Sequence, residues 1–483
     1  MKRKPTGIAE LDLVLGGGIP ASSCVVIAGE PGTCKTILAQ QICFANARAG
    51  GNAIYYTTLS EPHSKMVDHL SGFSFFDIEL LGERVQFQHL GALADDGDAP
   101  SIANVSSEIV RQAFEHQPSV IVIDSSKAIH EADEAGFRNA IYDLASRVAL
   151  SDAMLILVGE YGPEDLKTAA EFAVADVIIE LTNASSGLND RRWLHVAKLR
   201  GSSHLAGRHV FTVGDKGIEL FPRPESTIQP RIMSDGARLS SGVRGLDEMM
   251  NGGLPRGTAT IVAGPSGAGK SVLSLQFLQE GLKRGEGCVY ASFQEGEAQI
   301  RTKAAGFGWD LDTAANGAKL RILHVEPVEL GVDIVAARIR AAAHEVGAKR
   351  IVIDSIAELS HATEHGRFPD LLWALVNALR SDGATVFLTS ETAAFFGSAF
   401  ELASGLSFVA DNIILLRYAE FVSEIRRALV VVKMRDSDHR HNLVEFEITN
   451  SGARVKGNFE GVTGVLSGTP VPTTQKFAEF FGR

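Results

Sequence analysis

An internal repeat with a fixed spacing of 235 residues is the strongest constraint on how this chain can fold. The segment TGIAELDLVLGGGIP (6–20) reappears as SGVRGLDEMMNGGLP (241–255). The same spacing separates two further motif pairs: GEPGTCKT (29–36) from GPSGAGKS (264–271), and VAKLRGSSH (196–204) from VVKMRDSDH (431–439). Three motifs that recur at one spacing indicate a tandem duplication, and we expect each copy to fold as one domain.

The stretch between the two copies is typical of a linker. FPRPESTIQPRIMSDGAR (221–238) is polar, holds three prolines and shows no apolar period, which favours an irregular connection over a helix or strand. The sequence therefore predicts an N-terminal domain, a linker, a C-terminal domain and a short tail, at residues 1–222, 223–238, 239–460 and 461–483.

Short β-branched runs alternate with amphipathic stretches within each copy. In the first copy, SSCVVIAG, PSVIVID and AMLILVG are typical of strands, and TILAQQICFANARA is typical of a helix. Strands that read as continuous apolar runs are buried on both faces, as in parallel sheets covered by helices. We therefore predict an α/β fold with two tandem P-loop domains, each a mainly parallel sheet with helices on both faces.

The second copy carries a complete phosphate-binding loop. GPSGAGKS matches G-x-x-x-x-G-K-[ST] and stands between the strand-like TATIVAG and the helix-like SVLSLQFLQEGLKRG, which is the context that the motif requires. In such a loop the backbone amides hold nucleotide phosphates, the lysine reaches the β and γ phosphates, and the final hydroxyl ligates Mg²⁺. The predicted ATP ligands are Gly264, Gly267, Ala268, Gly269, Lys270 and Ser271.

The first copy departs from this pattern because Cys34 replaces the sixth-place glycine. A residue with a β-carbon costs about 1–2 kcal/mol if the loop needs a left-handed backbone at that position. We nevertheless expect the N-terminal site to bind ATP, to turn it over slowly and to serve a structural role. The other members of the loop are all present: Gly29, Gly32, Thr33, Lys35 and Thr36.

An aspartate ends one apolar run in each copy. Asp124 closes VIVID and Asp354 closes RIVID, and beside a phosphate-binding loop such a carboxylate can hold Mg²⁺ or its water together with Thr36 or Ser271. The alternative interpretation is an acid that caps the end of a strand.

A glutamate follows another strand-like run in each copy. Glu61 comes after AIYYTTLS and Glu295 after CVYASFQ, where a carboxylate can polarise the attacking water or hydroxyl. An acid in a solvated loop would give the same pattern.

Paired cations recur near the end of each copy. Lys198 and Arg200, like Lys433 and Arg435, are two residues apart, so they project from one face of a strand. A repeated pair of cations on one face suggests a phosphate partner, and a neighbouring subunit's nucleotide is a plausible target, as with an arginine finger. A charged sheet edge is the alternative.

Taken together, these motifs resemble the KaiC family, the double-domain RecA-like ATPases best known from the circadian clock autokinase. The resemblance covers nearly the whole chain and implies a hexameric ring that binds ATP and Mg²⁺ between subunits, with a KaiB-like protein as a partner. It implies that the neighbouring subunit contacts ATP through two matching sets: Lys198, Leu199, Arg200, Ser202 and His204, and Lys433, Met434, Arg435, Ser437 and His439. Phe307 stands where the family places a ring beside the adenine, although a core aromatic is an equal interpretation.

Departures from the family limit what the resemblance implies. Where the family has two adjacent glutamates, Ser60 and Gln294 replace the first one, so a single carboxylate per site is left for ATP hydrolysis. Where the family has an adjacent Ser-Thr phosphorylation pair, this chain has Ser407 and Phe408. We therefore expect serine autophosphorylation at Ser407 at most, with an ordinary loop or strand serine as the alternative. The regulatory tail is also expected to be shorter.

Composition narrows the function classes. The formal net charge is −12 and the one basic cluster is Lys2-Arg3-Lys4, which disfavours nucleic acid as a partner. Four cysteines in no ligand spacing suit a reducing cytosol, and no uncharged apolar run approaches the ~18 residues of a membrane span. We expect a cytoplasmic ring ATPase and autokinase in signalling or clock-like regulation. A nucleotide-binding scaffold without turnover and a RecA-like DNA-processing ATPase are the alternatives.

Overall fold

The computed structural model describes two compact units, which are treated separately below: Met1–Ser226 and Thr227–Arg483. The described residues are 2–57, 63–90, 102–127, 134–162, 165, 169–186, 189–227, 236–311, 319–327, 331–364, 366–392, 406–421, 424–435, 437–459, 462–463 and 471–472.

The first unit is built from alternating strands and helices. Its strands are β1 (Arg3–Lys4), β2 (Ile19–Pro20), β3 (Cys24–Gly29), β4 (Ala53–Thr57), β5 (Val85–His89), β6 (Val120–Asp124), β7 (Met154–Glu160), β8 (Val177–Ser186), β9 (Asn189–Leu199), β10 (Arg208–Gly214) and β11 (Gly217–Phe221). Its helices are α1 (Ala9–Val14), α2 (Lys35–Arg48), α3 (His63–Ser71), α4 (Ile102–His116), α5 (Glu134–Leu150) and α6 (Ala170–Val174).

The main sheet of the first unit has the strand order β11-β10-β9-β8-β3-β7-β6-β4-β5. Strands β8, β3, β7, β6, β4 and β5 run parallel to one another. Strands β9, β10 and β11 extend the sheet with antiparallel pairing. Both faces are covered, because Val25 and Ile27 of β3 belong to one buried cluster whereas Val26 and Ala28 belong to another. The phosphate-loop strand β3 therefore lies deep inside the sheet.

The second unit repeats this arrangement. Its strands are β12 (Arg238–Leu239), β13 (Leu254–Pro255), β14 (Ala259–Gly264), β15 (Gly287–Ser292), β16 (Leu320–His324), β17 (Ala348–Asp354), β18 (Thr385–Glu391), β19 (Asn412–Phe421), β20 (Glu424–Met434), β21 (Val444–Thr449), β22 (Gly452–Asn458), β23 (Val462–Thr463) and β24 (Val471–Pro472). Its helices are α7 (Leu246–Met249), α8 (Lys270–Lys283), α9 (Glu297–Gly306), α10 (Val332–Val346), α11 (Ile356–His361) and α12 (Phe368–Ser381).

The second main sheet has the order β16-β15-β17-β18-β14-β19-β20-β21-β22, again with a parallel block and an antiparallel extension. Ile261 and Val262 of β14 point into different buried clusters, so this sheet is also covered on both faces. The predicted fold class is confirmed: two tandem RecA-like units, each a mostly parallel sheet with helices.

The predicted linker falls partly outside the described residues. A 3₁₀ turn at Pro224–Thr227 spans the limit between the two units, and Arg238 already pairs with Pro255 in the second. Residues 228–235 and most of the predicted tail are not described, so the predicted domain limits stay predictions. No helix in the described part of the chain has the length and apolar character to cross a membrane.

Candidate nucleotide site

Each phosphate-binding loop joins the central strand of its sheet to the next helix. The first loop connects β3 to α2, and the second connects β14 to α8. Both loops therefore lie at the carboxyl ends of the parallel strands, the edge where open α/β sheets bind ligands. Because α2 begins at Lys35 and α8 at Lys270, the free amides of a helix N-terminus face each loop.

Cys34 adopts the backbone conformation of the glycine that it replaces. Its φ is 69° and its ψ 27°, in the left-handed region, and the matching Gly269 has φ 109° and ψ 14°. The thiol donates weakly to the carbonyl oxygen of Gly32, 3.7 Å away, and the side chain packs against the apolar core of the first unit. The first loop thus keeps a phosphate-binding shape despite the β-carbon.

The loop lysines lie inside their own loops. The Nζ atom of Lys35 donates to the carbonyl oxygen of Glu30 at 2.8 Å, and Nζ of Lys270 donates to those of Gly264 and Pro265 at 2.9 and 2.8 Å. Burial lowers the pKa of both ammonium groups, while nearby carboxylates oppose that shift. Both lysines are placed where a phosphate-binding lysine is needed.

The predicted magnesium ligands of the first unit are in direct contact. Thr36 Oγ1 donates to Asp124 Oδ2 at 2.8 Å, and the hydroxyl of Tyr55 donates to the same carboxylate oxygen at 2.6 Å. A hydroxyl beside a carboxylate at a phosphate-binding loop is the donor set that Mg²⁺ takes in P-loop enzymes. Thr36 and Asp124 therefore fit a magnesium ion, which would supply positive charge beside the nucleotide's phosphates.

In the second unit, two hydroxyl groups donate to the corresponding aspartate. Tyr290 donates to Asp354 Oδ2 at 2.6 Å, and Thr389 donates to the other oxygen, Oδ1. Ser271 hydrogen-bonds to the same tyrosine. Burial first, and the aspartate second, raise the pKa of Tyr290 and Tyr55 well above the usual range, so both stay neutral donors that orient the aspartate.

Of the two glutamates predicted to act as bases, one lies in the described part of the chain. Glu61 lies outside the described residues. Both carboxylate oxygens of Glu295 accept from Lys303 Nζ at 2.6 Å. Gln294 donates through Nε2 to Glu358 on α11, and Ser355 donates to the second oxygen of Glu358 at 2.7 Å. An acid that the sequence analysis did not select therefore lies beside the amide that replaces the family's first glutamate.

The paired cations lie at the opposite end of the sheet from their own loop. The Lys198 ammonium donates to the carbonyl oxygen of Phe172 at 3.2 Å, and Arg200 pairs with Asp176 at 3.4 Å. Asp176 binds the first residue of β3, since its carboxylate accepts from the amide of Cys24 at 3.1 Å. The phosphate-binding loop starts at the other end of this strand.

The second unit repeats these contacts. Lys433 donates to the carbonyl oxygen of Ser407 at 2.8 Å, and Arg435 pairs with Asp411 at 3.6 Å. The Asp411 carboxylate accepts from the amide of Ala259, the first residue of β14, at 3.0 Å. Neither unit brings its own cation pair and its own phosphate-binding loop together.

Two other predicted site residues have defined surroundings. Phe307 is half-buried and stacks on Trp309, with ring centroids 4.8 Å apart, so its place beside an adenine stays a prediction. Ser407 is exposed. Phe172 occupies the position of Ser407 in the first unit and is 7% exposed, so no hydroxyl is present there.

Several residues that organise these sites were missed in the sequence analysis. Tyr55 and Tyr290 donate to the aspartates predicted to bind the metal, and Asp176 and Asp411 pair with the arginines predicted to act as fingers. Each of these pairs has the same 235-residue spacing as the motifs. A residue-by-residue comparison of the two copies would have found them, because identical residues at that spacing extend beyond the quoted motifs.

Comparisons with known proteins agree with this geometry. The family model for the KaiC ATPase matches residues 4–225 and again residues 239–460. The chain is 29% identical over 492 residues to the circadian clock protein KaiC3 of Synechocystis sp. (strain ATCC 27184 / PCC 6803 / Kazusa), covering 99% of this chain and 96% of that protein. It is 30% identical over 477 residues to the circadian clock oscillator protein KaiC of Acaryochloris marina (strain MBIC 11017), covering 96% and 90%. Two phosphate-binding loops in RecA-like units and two matches to one family model lead to one conclusion: this chain belongs to the KaiC family of ATPases.

Proposed function

We propose that this protein assembles into a ring, with six subunits as the resemblance implies, and hydrolyses Mg·ATP at sites shared between neighbouring subunits. The observation that carries the proposal is the distance between each loop and its own cation pair. Strand β14 has six residues, and a strand rises roughly 3.3 Å per residue, so its two ends are about 17 Å apart. Arg435 is therefore too far from its own loop to contact the γ phosphate there.

A ring with head-to-tail contacts brings the arginine of one subunit to the phosphate-binding loop of another. In such a contact the loop edge of one subunit faces the opposite edge of the next, so an arginine can reach the neighbour's nucleotide. An arginine supplied in trans stabilises charge on the transferring phosphoryl group. Within one unit, Asp411 holds the guanidinium of Arg435 until a phosphate competes for it.

Mixing two inactive variants tests the shared site. We expect Arg435→Ala to keep ATP binding but to lower C-terminal hydrolysis by about 10³-fold or more, because an arginine finger contributes ~10³–10⁵ in rate. Lys270→Ala should also abolish C-terminal hydrolysis. In a one-to-one mixture, about a quarter of the interfaces in a head-to-tail ring pair an intact loop with an intact finger, so hydrolysis should return.

The measurement is phosphate release from mixed rings, with each variant alone as the control. Native mass spectrometry of differently tagged subunits verifies that mixed rings form. Mixed rings that stay inactive would contradict a site shared between subunits.

We further propose that the C-terminal unit transfers phosphate to Ser407. The carbonyl oxygen of Ser407 accepts from the ammonium of Lys433, so acceptor and finger lie on the same edge of the unit. A finger that meets the neighbour's nucleotide brings this hydroxyl to the same nucleotide. The acceptor oxygen attacks the γ phosphorus, ADP leaves, and a nearby carboxylate takes the hydroxyl proton.

Glu295 is the proposed base of the C-terminal site. It lies three residues after the end of β15, at the edge of the sheet where the loop begins. Its bonds to Lys303 must loosen before it can accept a proton, since both of its oxygens are engaged. Glu358 acts on the same region through Gln294.

The biological role is proposed from the relatives. They are named for the circadian clock, and we propose signalling or clock-like regulation in the cytoplasm, with a KaiB-like protein as a partner. Titration of a purified KaiB-like protein against the ring, followed by native mass spectrometry, tests this part. No complex at any nucleotide state would remove the partner from the proposal.

Two alternatives are distinguished by simple assays. A nucleotide-binding scaffold would assemble and bind ATP without releasing phosphate. A DNA-processing motor would shift labelled DNA in a salt-dependent manner, which the net charge of −12 disfavours.

A further inference from the structure

An arginine near the start of each unit binds the loop that carries the finger. In the first unit, Arg3 donates through Nη1 to the carbonyl oxygens of Leu15 and Gly18, at 2.8 and 2.6 Å. Its Nη2 donates to Ser202 Oγ. One guanidinium therefore connects the turn after α1 with a loop that lies 199 residues away in sequence.

The second unit repeats all three bonds at the same spacing. Arg238 donates through Nη1 to the carbonyl oxygens of Met250 and Gly253, at 2.7 and 2.9 Å, and through Nη2 to Ser437 Oγ at 2.5 Å. The sequence analysis gave neither arginine a role: Arg3 stood in the basic cluster and Arg238 at the end of the predicted linker. Two units of different sequence keep the same four positions, which indicates a common task.

The loop held in this way begins at the finger arginine. We use the name finger loop for residues 200–205 and 435–440, of which residue 436 lies outside the described residues. At its start, the amides of Arg200 and Arg435 donate to the carbonyl oxygens of Asp176 and Asp411, both at 2.9 Å. At its end, the amides of Leu205 and Arg440 donate to the carbonyl oxygens of Val14 and Met249, at 2.9 and 2.8 Å. The serine bound by the arginine lies between these two anchors.

The turn after α1 is shaped to receive the finger loop. Gly16 has φ 71°, and a β-carbon there would lie 2.9 Å from the carbonyl oxygen of Ser203. The finger loop of the first unit thus packs closely against bare backbone, and Arg3 closes this contact from the side. A planar guanidinium can bond three oxygens at once in fixed directions, whereas a lysine ammonium cannot reproduce that geometry.

We propose that Arg3 and Arg238 are positioning residues for the finger loops. They act through Ser202 and Ser437, and they hold each loop so that its first residue, the arginine, and the lysine two positions earlier project toward the neighbouring subunit. This inference rests on the proposed function, because a finger needs positioning only if it acts on another subunit's nucleotide. It also gives the two serines a role within their own subunit, as anchors of the loop.

Three variants of the C-terminal unit test the positioning role. We expect Arg238→Ala to lower C-terminal hydrolysis on the order of tenfold to a hundredfold, since displacing a reacting group by about 1 Å costs up to 10²-fold. Arg238→Lys should recover only part of the rate. Ser437→Ala should lower the rate in the same direction, and the Arg238→Ala/Ser437→Ala double variant should be no slower than Arg238→Ala alone.

The matched control is Arg321→Ala, which removes an arginine that pairs at 3.7 Å with Glu345 on the surface. ATP binding, measured by calorimetry, should stay unchanged in Arg238→Ala, Arg238→Lys and Arg321→Ala. C-terminal hydrolysis is the phosphate release of each full-length ring minus that of Lys270→Ala.

Subunit mixing separates positioning from a general structural defect. If Arg238 acts through the finger of its own subunit, Arg238→Ala mixed with Lys270→Ala should regain hydrolysis. Arg238→Ala mixed with Arg435→Ala should regain none, because every interface then lacks a working finger. The reverse pattern would assign Arg238 to the nucleotide loop and would overturn the proposal, as would a wild-type rate for Arg238→Ala.

The two proposals fail in distinguishable ways. If Arg435→Ala and Lys270→Ala do not complement one another in verified mixed rings, the shared site itself is wrong. If they complement one another but Arg238→Ala behaves as wild type, only the positioning role is wrong. Should Arg238→Ala not assemble, Ser437→Ala carries the same mixing test, because it removes a single hydroxyl and leaves the bonds of Arg238 to Met250 and Gly253 in place.

Discussion

At position 34, a cysteine holds a left-handed backbone with φ 69°. The β-carbon costs about 1–2 kcal/mol in that conformation, and the side chain recovers part of this by packing against the core. The lysine, the threonine and the aspartate of the same site all make hydrogen bonds within it. We therefore expect Cys34 to act on this site through its own side chain alone.

Replacing that side chain should speed the N-terminal site. We expect Cys34→Gly to raise phosphate release several-fold in a Lys270→Ala background, because glycine restores bare backbone next to the phosphates. A Cys34→Gly/Lys35→Ala/Lys270→Ala variant provides the zero level. An unchanged rate together with no ATP binding by residues 1–225 would mean that the site is a remnant.

The reciprocal change should damage the C-terminal loop. In Gly269→Cys, the new β-carbon would lie 2.9 Å from Phe446 Cζ and 3.0 Å from Ile448 Cδ1, at φ 109°. We expect unit 2 to lose about 1–3 kcal/mol of unfolding free energy, seen as a lower midpoint in calorimetry.

Gly285→Cys is the matched control for this loss. Gly285 has φ 76°, and a β-carbon there meets no atom within 4 Å. Gly285→Cys therefore shows only the loss of unfolding free energy that the left-handed backbone causes. Equal midpoints for the two variants would show that the contact with Phe446 does not matter.

Two acids on different elements lie near the C-terminal site: Glu295 follows strand β15, and Glu358 lies on helix α11. We expect Glu295→Gln to lower C-terminal hydrolysis by about 10²–10⁴, the usual contribution of a general base. Glu358→Gln should cost about tenfold or less, since Glu358 touches the site through Gln294.

Both substitutions keep side-chain size and remove only charge, so each is the control for the other. Phosphate release and ATP binding are measured on the full-length ring. A larger loss for Glu358→Gln would place the base on α11.

The sequence predicted the elements better than the contacts between them. Strands β3 and β14 read as continuous apolar runs because both of their faces are buried, and the loops that follow carry a motif with a known geometry. Gln294 meets Glu358 across 64 residues, and Arg3 meets Ser202 across 199. Such pairings depend on which strands become neighbours in the sheet, and no local pattern encodes them.

On the scale of the whole molecule, two units with one framework differ in chemistry. The residue whose carbonyl oxygen accepts from the paired lysine is exposed Ser407 in the second unit and buried Phe172 in the first. We expect labelled phosphate from ATP to map to the C-terminal unit alone. Ser407→Ala should abolish this label but leave hydrolysis measurable, because the acceptor is not part of the phosphate cradle.

Mixed rings identify the direction of transfer. With Lys270→Ala and Ser407→Ala subunits of different tag size, the label should appear on the Lys270→Ala subunits, whose own loop is inactive. Label on neither subunit would contradict transfer between subunits. If rings made only of Ser407→Ala subunits still take up label, another residue is the acceptor. Ser404, one candidate, lies outside the described residues.

The bond between Arg3 and Ser202 also has a consequence for how the chain is made. The first strand of a unit is fastened to a loop near the end of the same unit, and contacts of such long sequence separation form late in folding. Nearly the whole unit must leave the ribosome before its finger loop can be fixed. Until then, a unit whose nucleotide loop has already formed still has an unfastened finger.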